Sequence, residues 1–102
     1  MLLLEFHPLI EADLTESAEW YERQQKGLGG RFLDEAHEIL KRLPSDFNLF
    51  SLRLADIRRA SFRSFPHAIF FFNTGQAIVV LAILHGYRDL RAELQRRRES
   101  YD

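Results

Sequence analysis

Apolar residues recur with a helical period in the first half of the chain and gather into strand-length runs in the second. Leu2 to Phe6 is a short apolar run suited to an edge strand. Ile10, Leu14, Ala18 and Tyr21 then fall on one helical stripe, with Glu11, Glu16, Glu19 and Glu22 on the other side. Pro8 suits the first turn of this helix, where no backbone donor is missed. Trp20 stands on the shoulder of the stripe, a place that more often marks the core edge than a binding site. Gly27, Gly29 and Gly30 break the pattern, and Phe32, Ala36, Ile39, Leu40 and Leu43 form a second stripe that Pro44 is expected to end. Two amphipathic helices with so short a connection pack as an antiparallel hairpin.

Residues 45–56 mix apolar side chains with the turn formers Ser45, Asp46 and Asn48, and read as a loop partly buried against the core. Three strands follow, at Ile57–Phe62, His67–Phe72 and Ala77–Leu84. Ser64–Pro66 joins the first two, and Asn73-Thr74-Gly75-Gln76 is the strongest hairpin signal of the chain. The third strand is apolar almost throughout, as an interior strand buried on both faces would be. From Arg88 or Asp89 to about Glu99 the pattern is helical and strongly basic. The fold class is therefore α+β, ordered β-α-α-β-β-β-α, with an N-terminal helix hairpin on a small, mostly antiparallel sheet and one domain over residues 1–102.

Composition narrows the function. With 46% hydrophobic residues and nine Phe, the chain has material for a core, and it needs neither disulfide nor metal to fold at this length. It has no cysteine, which excludes a disulfide scaffold, a Cys-ligated zinc site and a Cys nucleophile, and suits the cytoplasm. Leu2-Leu3-Leu4 is too short for a signal peptide, and no run is long enough to span a bilayer. The net charge of −1 conceals an asymmetry. Residues 1–51 carry 10 acidic and 5 basic side chains; residues 52–102 carry 9 basic and 5 acidic, and all nine are arginine. Arginine is the residue suited to phosphate and carboxylate forks.

A three-strand meander brings the end of its first strand, the start of its second and the end of its third together. That end carries Arg63, His67, His85 and Arg88, two cations and two imidazoles able in principle to hold a phosphodiester and move a proton. Polar residues also collect at strand ends because strands end at the surface. The four histidines lack zinc-site spacing, no metal or other cofactor is expected, and Ser61 and Ser64 have no recognisable base beside them. Gly27–Gly30 has no preceding strand and no following Lys-Ser/Thr, so it is no phosphate loop.

Several segments together resemble a known family. They are Asp13-Leu14, Ala18-Glu19-Trp20-Tyr21-Glu22, Arg31-Phe32-Leu33, Leu43-Pro44, Ile57-Arg58-Arg59, Phe65-Pro66-His67 and His85-Gly86-Tyr87-Arg88-Asp89. In this order they resemble the ParE/RelE superfamily of bacterial toxins, often called plasmid-stabilisation proteins, and the ParE-like branch above all. The resemblance implies a toxin neutralised by a cognate antitoxin and directed at DNA gyrase, with oligomers possible through the antitoxin and no membrane. The alternatives it leaves are a RelE-like, ribosome-dependent endoribonuclease acting on messenger RNA, and an inactive toxin-fold binding protein. For the ribonuclease, the resemblance sets Arg88 at a basic site position, His67 where a site arginine is expected and Leu94 near the place of a late tyrosine. Catalytic candidates are then Arg88, His85, His67 and Arg63; target-binding candidates are Arg58, Arg59, Arg63 and Arg88; antitoxin-binding candidates are Leu14, Trp20 and Tyr21.

Overall fold

The computed structural model describes residues 2–86 and 88–102, so Tyr87 of the His-Gly-Tyr-Arg-Asp segment lies outside the described residues. The opening apolar run forms strand β1 (Leu3–Phe6), and a turn leads into helix α1 (Ile10–Gln24). Pro8 lies in that turn and not in the first turn of the helix. The His7 carbonyl accepts from the Ile10 amide at 3.0 Å and His7 Nδ1 accepts from the Leu9 amide at 3.1 Å, so the chain turns before the helix starts.

Glu22, near the end of α1, organises the next connection. Its carboxylate accepts from the Gly27 amide at 2.9 Å and the Gly29 amide at 3.0 Å, supplying acceptors for donors that the start of helix α2 (Leu28–Asp46) leaves free. Gly27 sits at φ +88°, a conformation that favours glycine. At Gly29 the demand is closeness: a Cβ there would lie 2.4 Å from the Ala18 carbonyl oxygen.

The loop expected over residues 45–56 is in fact ordered. Helix α2 passes through Pro44 to Asp46, a 3-10 turn spans Phe47–Leu49, and an additional strand, β2, spans Ser51–Leu54. Proline falls in the last turn, where it removes one backbone bond, while the fully buried Leu43 anchors the helix. Strand β2 escaped detection because its alternation of Ser51 and Arg53 with Leu52 and Leu54 is only four residues long and follows turn formers; in the fold it is a sheet edge with three of its four residues exposed. Its partner is β3 (Ile57–Ser61), and the Arg58 guanidinium donates to the Phe50 carbonyl at 2.6 Å, fixing the approach to β2.

With β4 (His67–Asn73) and β5 (Ala77–His85) these strands form one sheet in the order β1-β5-β4-β3-β2. The β1–β5 pair is parallel and the others are antiparallel. The α+β class and the helix hairpin on a largely antiparallel sheet thus stand, with one strand more than the apolar pattern suggested.

The hairpin covers one face of the sheet. Tyr21, Phe32, Ile39 and Leu43 pack there against Ile69, Phe71, Ile78 and Val80. Leu14, expected in the core, is only half-buried and packs at its margin. The other face carries Phe70, Val79 and Leu81, all buried. It is covered by helix α3 (Arg91–Glu99), which starts later than Arg88 or Asp89. Among the described residues no helix is long and apolar enough to cross a membrane.

One feature ties the two layers together. Strand β1 follows β5 only as far as the Phe6–Val80 pair. Beyond it, Asp13 of α1 accepts from the Ile83 amide at 3.0 Å and Arg97 of α3 donates to the Leu81 carbonyl at 3.2 Å. The two side chains also meet each other, Arg97 donating to both carboxylate oxygens of Asp13 at 2.7 and 3.1 Å. Side chains therefore complete the edge that β1 leaves, and the resulting ion pair is buried.

Candidate functional site

The Ser64–Pro66 turn and the antiparallel register place His67 opposite His85 in the β4–β5 ladder, with ring centroids 5.7 Å apart. Helix α1 passes over this end of the sheet. Its Ser17 Oγ lies 3.2 Å from His67 Nε2, and its Tyr21 hydroxyl lies 3.3 Å from His67 Nδ1. Phe32 packs against the His67 ring at 5.0 Å. His67 is thus engaged at both nitrogens and buried. Desolvation, and then the nearby charges of His85 and Arg88, push its pKa down to about 4. At neutral pH it is an uncharged imidazole, and burial raises the pKa of Tyr21 as well.

Beside this group opens a cleft of about 340 Å³. Trp20, Pro66 and Leu84 give it apolar walls, while Glu16, His85 and Arg88 supply polar ones. Trp20 is 51% exposed, so it stands at the cleft as accessible apolar surface and not in the core. The cleft suits an apolar side chain carrying or flanked by a charge. Within it His67, with a pKa of about 4, is a weak base at neutral pH.

The sequence candidates divide by location. His67, His85 and Arg88 come together in the cleft, with Trp20 and Tyr21 from α1. Arg63 is exposed and absent from the cleft wall; its amide, like that of Ser64, donates to the Glu35 carboxylate. Arg58 and Arg59 point to opposite faces of the sheet, since they pair with Phe71 and Phe70. Arg58 is bound to the Phe50 carbonyl, and Arg59 Nε donates to Ser61 Oγ at 3.1 Å. Leu94 is buried against the sheet and offers no hydroxyl at the position where the resemblance would look for one. Ser17 and Asp13 were missed, although a trace was present: Asp13 and Ser17 recur every four residues with Tyr21 of the apolar stripe, and so share one face of α1 with it.

The family model for the ParE toxin of the type II toxin-antitoxin system, parDE, matches residues 4–90. The chain belongs to the ParE toxin family. The matched span contains every cleft residue named above and stops before α3. A solved structure described as the chromosomal ParDE TA system from P. aeruginosa is similar, with a TM-score of 0.74 over 83% of this chain and 96% of that chain. At 19% identity this likeness speaks for the ParE fold. No curated protein matches the sequence.

Proposed function

We propose that the chain is the toxin of a type II toxin–antitoxin pair, that a cognate antitoxin holds it inactive, and that it acts by binding DNA gyrase directly in the cytoplasm. The ParE family match over residues 4–90 carries this reading. The antitoxin docks across α1, where Trp20 and the cleft offer apolar contact beside charge, and along an exposed sheet edge. The ribonuclease alternative draws less support, since His67 is buried with a depressed pKa and Arg63 stands outside the cleft.

Supercoiling by purified gyrase, beside translation on programmed ribosomes, tests the target. The expected result is inhibited supercoiling with message intact. A-site cleavage of message that is lost in Arg88→Ala, with normal supercoiling, would overturn the reading. Co-expression with the small protein encoded next to the toxin tests neutralisation, and Trp20→Glu is expected to weaken the complex at least tenfold.

A further inference from the structure

The arginines of the second half of the chain do two different jobs. The run Arg96-Arg97-Arg98 resembles a nucleic-acid patch in the sequence, yet every member is neutralised. Arg96 and Arg97 pair with Glu93, Arg97 pairs also with Asp13, and Arg98 pairs with Asp56 and Asp102. By contrast, among the described residues the side chains of Arg53, Arg88 and Arg91, like that of Arg63 elsewhere on the surface, make no hydrogen bond or ion pair. They come from three separate places: strand β2, the β5–α3 connection and the start of α3. All three line one hollow on the α3 face of the sheet, together with Gly86 and the side chains of Leu54 and Leu94.

The hollow holds about 30 Å³, room for roughly two water molecules or one oxyanion group. Asp89 is the single acidic residue in its wall, and its carboxylate accepts from the Arg91 amide at 3.2 Å. The Arg59 guanidinium, whose Nε donates to Ser61 Oγ, borders Gly86, where a Cβ would meet it at 2.6 Å. Convergence of this kind leaves excess positive charge around a small walled space, and guanidinium forks match the oxygens of a phosphate.

We propose that this hollow is a phosphate-binding site in which Arg53, Arg88 and Arg91 seat one phosphate of a nucleic-acid strand. A single seat fits the rest of the molecule: the acidic first half of the chain disfavours a long electrostatic track along a backbone. The proposal deepens the proposed action on gyrase and rests on it for its source, since the phosphate is that of the DNA on which gyrase works. Phosphate contacts position a protein on nucleic acid without reading sequence, so binding should be indifferent to base order.

The test uses the purified full chain without gyrase, so that its outcome is separate from that of the supercoiling assay. Backbone amide NMR shifts are followed during titration with inorganic phosphate, a nucleoside monophosphate, a short single-stranded DNA and an acidic peptide of equal charge. Saturable shifts confined to residues around Arg53, Gly86 and Arg88–Leu94 are expected with the phosphate compounds. DNA, which offers many phosphates, should bind more tightly than the mononucleotide, with log K against log salt falling at a slope of about −0.7 for the one phosphate neutralised on a single strand. Arg53→Gln and Arg91→Gln, each on the surface, should each weaken binding about tenfold, while Arg96→Gln should not. Absence of shifts, shifts spread over all arginines alike, or preference for the acidic peptide would overturn the proposal. Binding to the free nucleotide alone would refute the nucleic-acid source. Phosphate binding without any effect on supercoiling would leave the site standing and refute the proposed target.

Discussion

On the hairpin face of the sheet, Phe32, Leu43 and Tyr21 lie inside a layer of aromatic and aliphatic side chains, with Phe32 stacked on Phe62 at 4.9 Å. On the opposite face, α3 contributes one buried apolar side chain, Leu94, and one buried cation, Arg97. The first layer is held by area removed from water. The second adds directed bonds to a smaller apolar cluster around Phe70, Leu81 and Leu94: Arg97 to Asp13 and Glu93, Arg98 to Asp56 and Asp102, and the Arg98 guanidinium 3.9 Å from the centre of the Phe72 ring. The hairpin layer should therefore tolerate changes of salt, and of pH except through the buried His67, while the α3 layer should answer to both.

The largest expected effects set one substitution on each face against the other. Phe32→Ala should cost about 3–5 kcal/mol by removing a fully buried ring. Arg97→Ala should cost a similar amount, about 3–5 kcal/mol, because Asp13 is left charged and buried. Urea unfolding distinguishes them through a second change: Arg97→Met with Asp13→Leu should recover much of the loss, whereas no polar change rescues Phe32→Ala. A double variant as unstable as Arg97→Ala alone would show that the ion pair does not act as a unit.

A smaller effect comes from His67. Its folded pKa of about 4 lies below the ordinary value of 6.5, so the unfolded chain binds the proton more readily. The stability it lends is complete above pH 6.5 and falls as pH drops towards 4, by about 3 kcal/mol in all. In His67→Gln this part of the pH dependence should vanish in chemical denaturation run across that range. Glu93 is held below the usual carboxylate range first by its bond to Arg97, and Asp56 by its bond to Arg98. Their contributions persist above the ordinary carboxylate pKa and fade as pH falls through the lowered values, so acid should loosen the hairpin face around His67 first and the amides of α3 only at lower pH.

The smallest effects lie at the surface. Asp56→Ala should change stability by less than about 1 kcal/mol, since the carboxylate is half exposed, and high salt should mask the change. Trp20→Glu should leave unfolding within about 0.5 kcal/mol while weakening antitoxin capture. A large loss of stability in either variant would place that side chain in the framework and not at its surface.

The hairpin face was legible in the sequence because its burial repeats every turn: Phe32, Ala36, Ile39, Leu40 and Leu43 are the stripe and are all buried. The meander was legible for a similar reason, with Ala77 through Ile83 buried without a break. What escaped was encoded by single side chains or by context. Strand β2 offers only four alternating residues, most of them exposed at an edge, and Arg97 looks like its neighbours Arg96 and Arg98 until the fold turns it inward. The meeting of His67 with His85 followed from strand register, but the cover of α1 over them depended on the helix crossing, which Gly29 permits and apolar spacing does not specify.

The partners Arg97 and Asp13 stand 84 positions apart along the chain. Closing so long a loop is entropically costly, and contacts of this separation tend to form late in folding. Until α3 arrives, Asp13 can keep its water and the far stretch of β5 lacks its side-chain covering. Weakening the pair should then leave the folding rate nearly unchanged and speed unfolding, with the unfolding arm of a chevron carrying most of the change. The α3 layer would on this account set how long the native state lasts once formed, and the hairpin layer how readily it is reached.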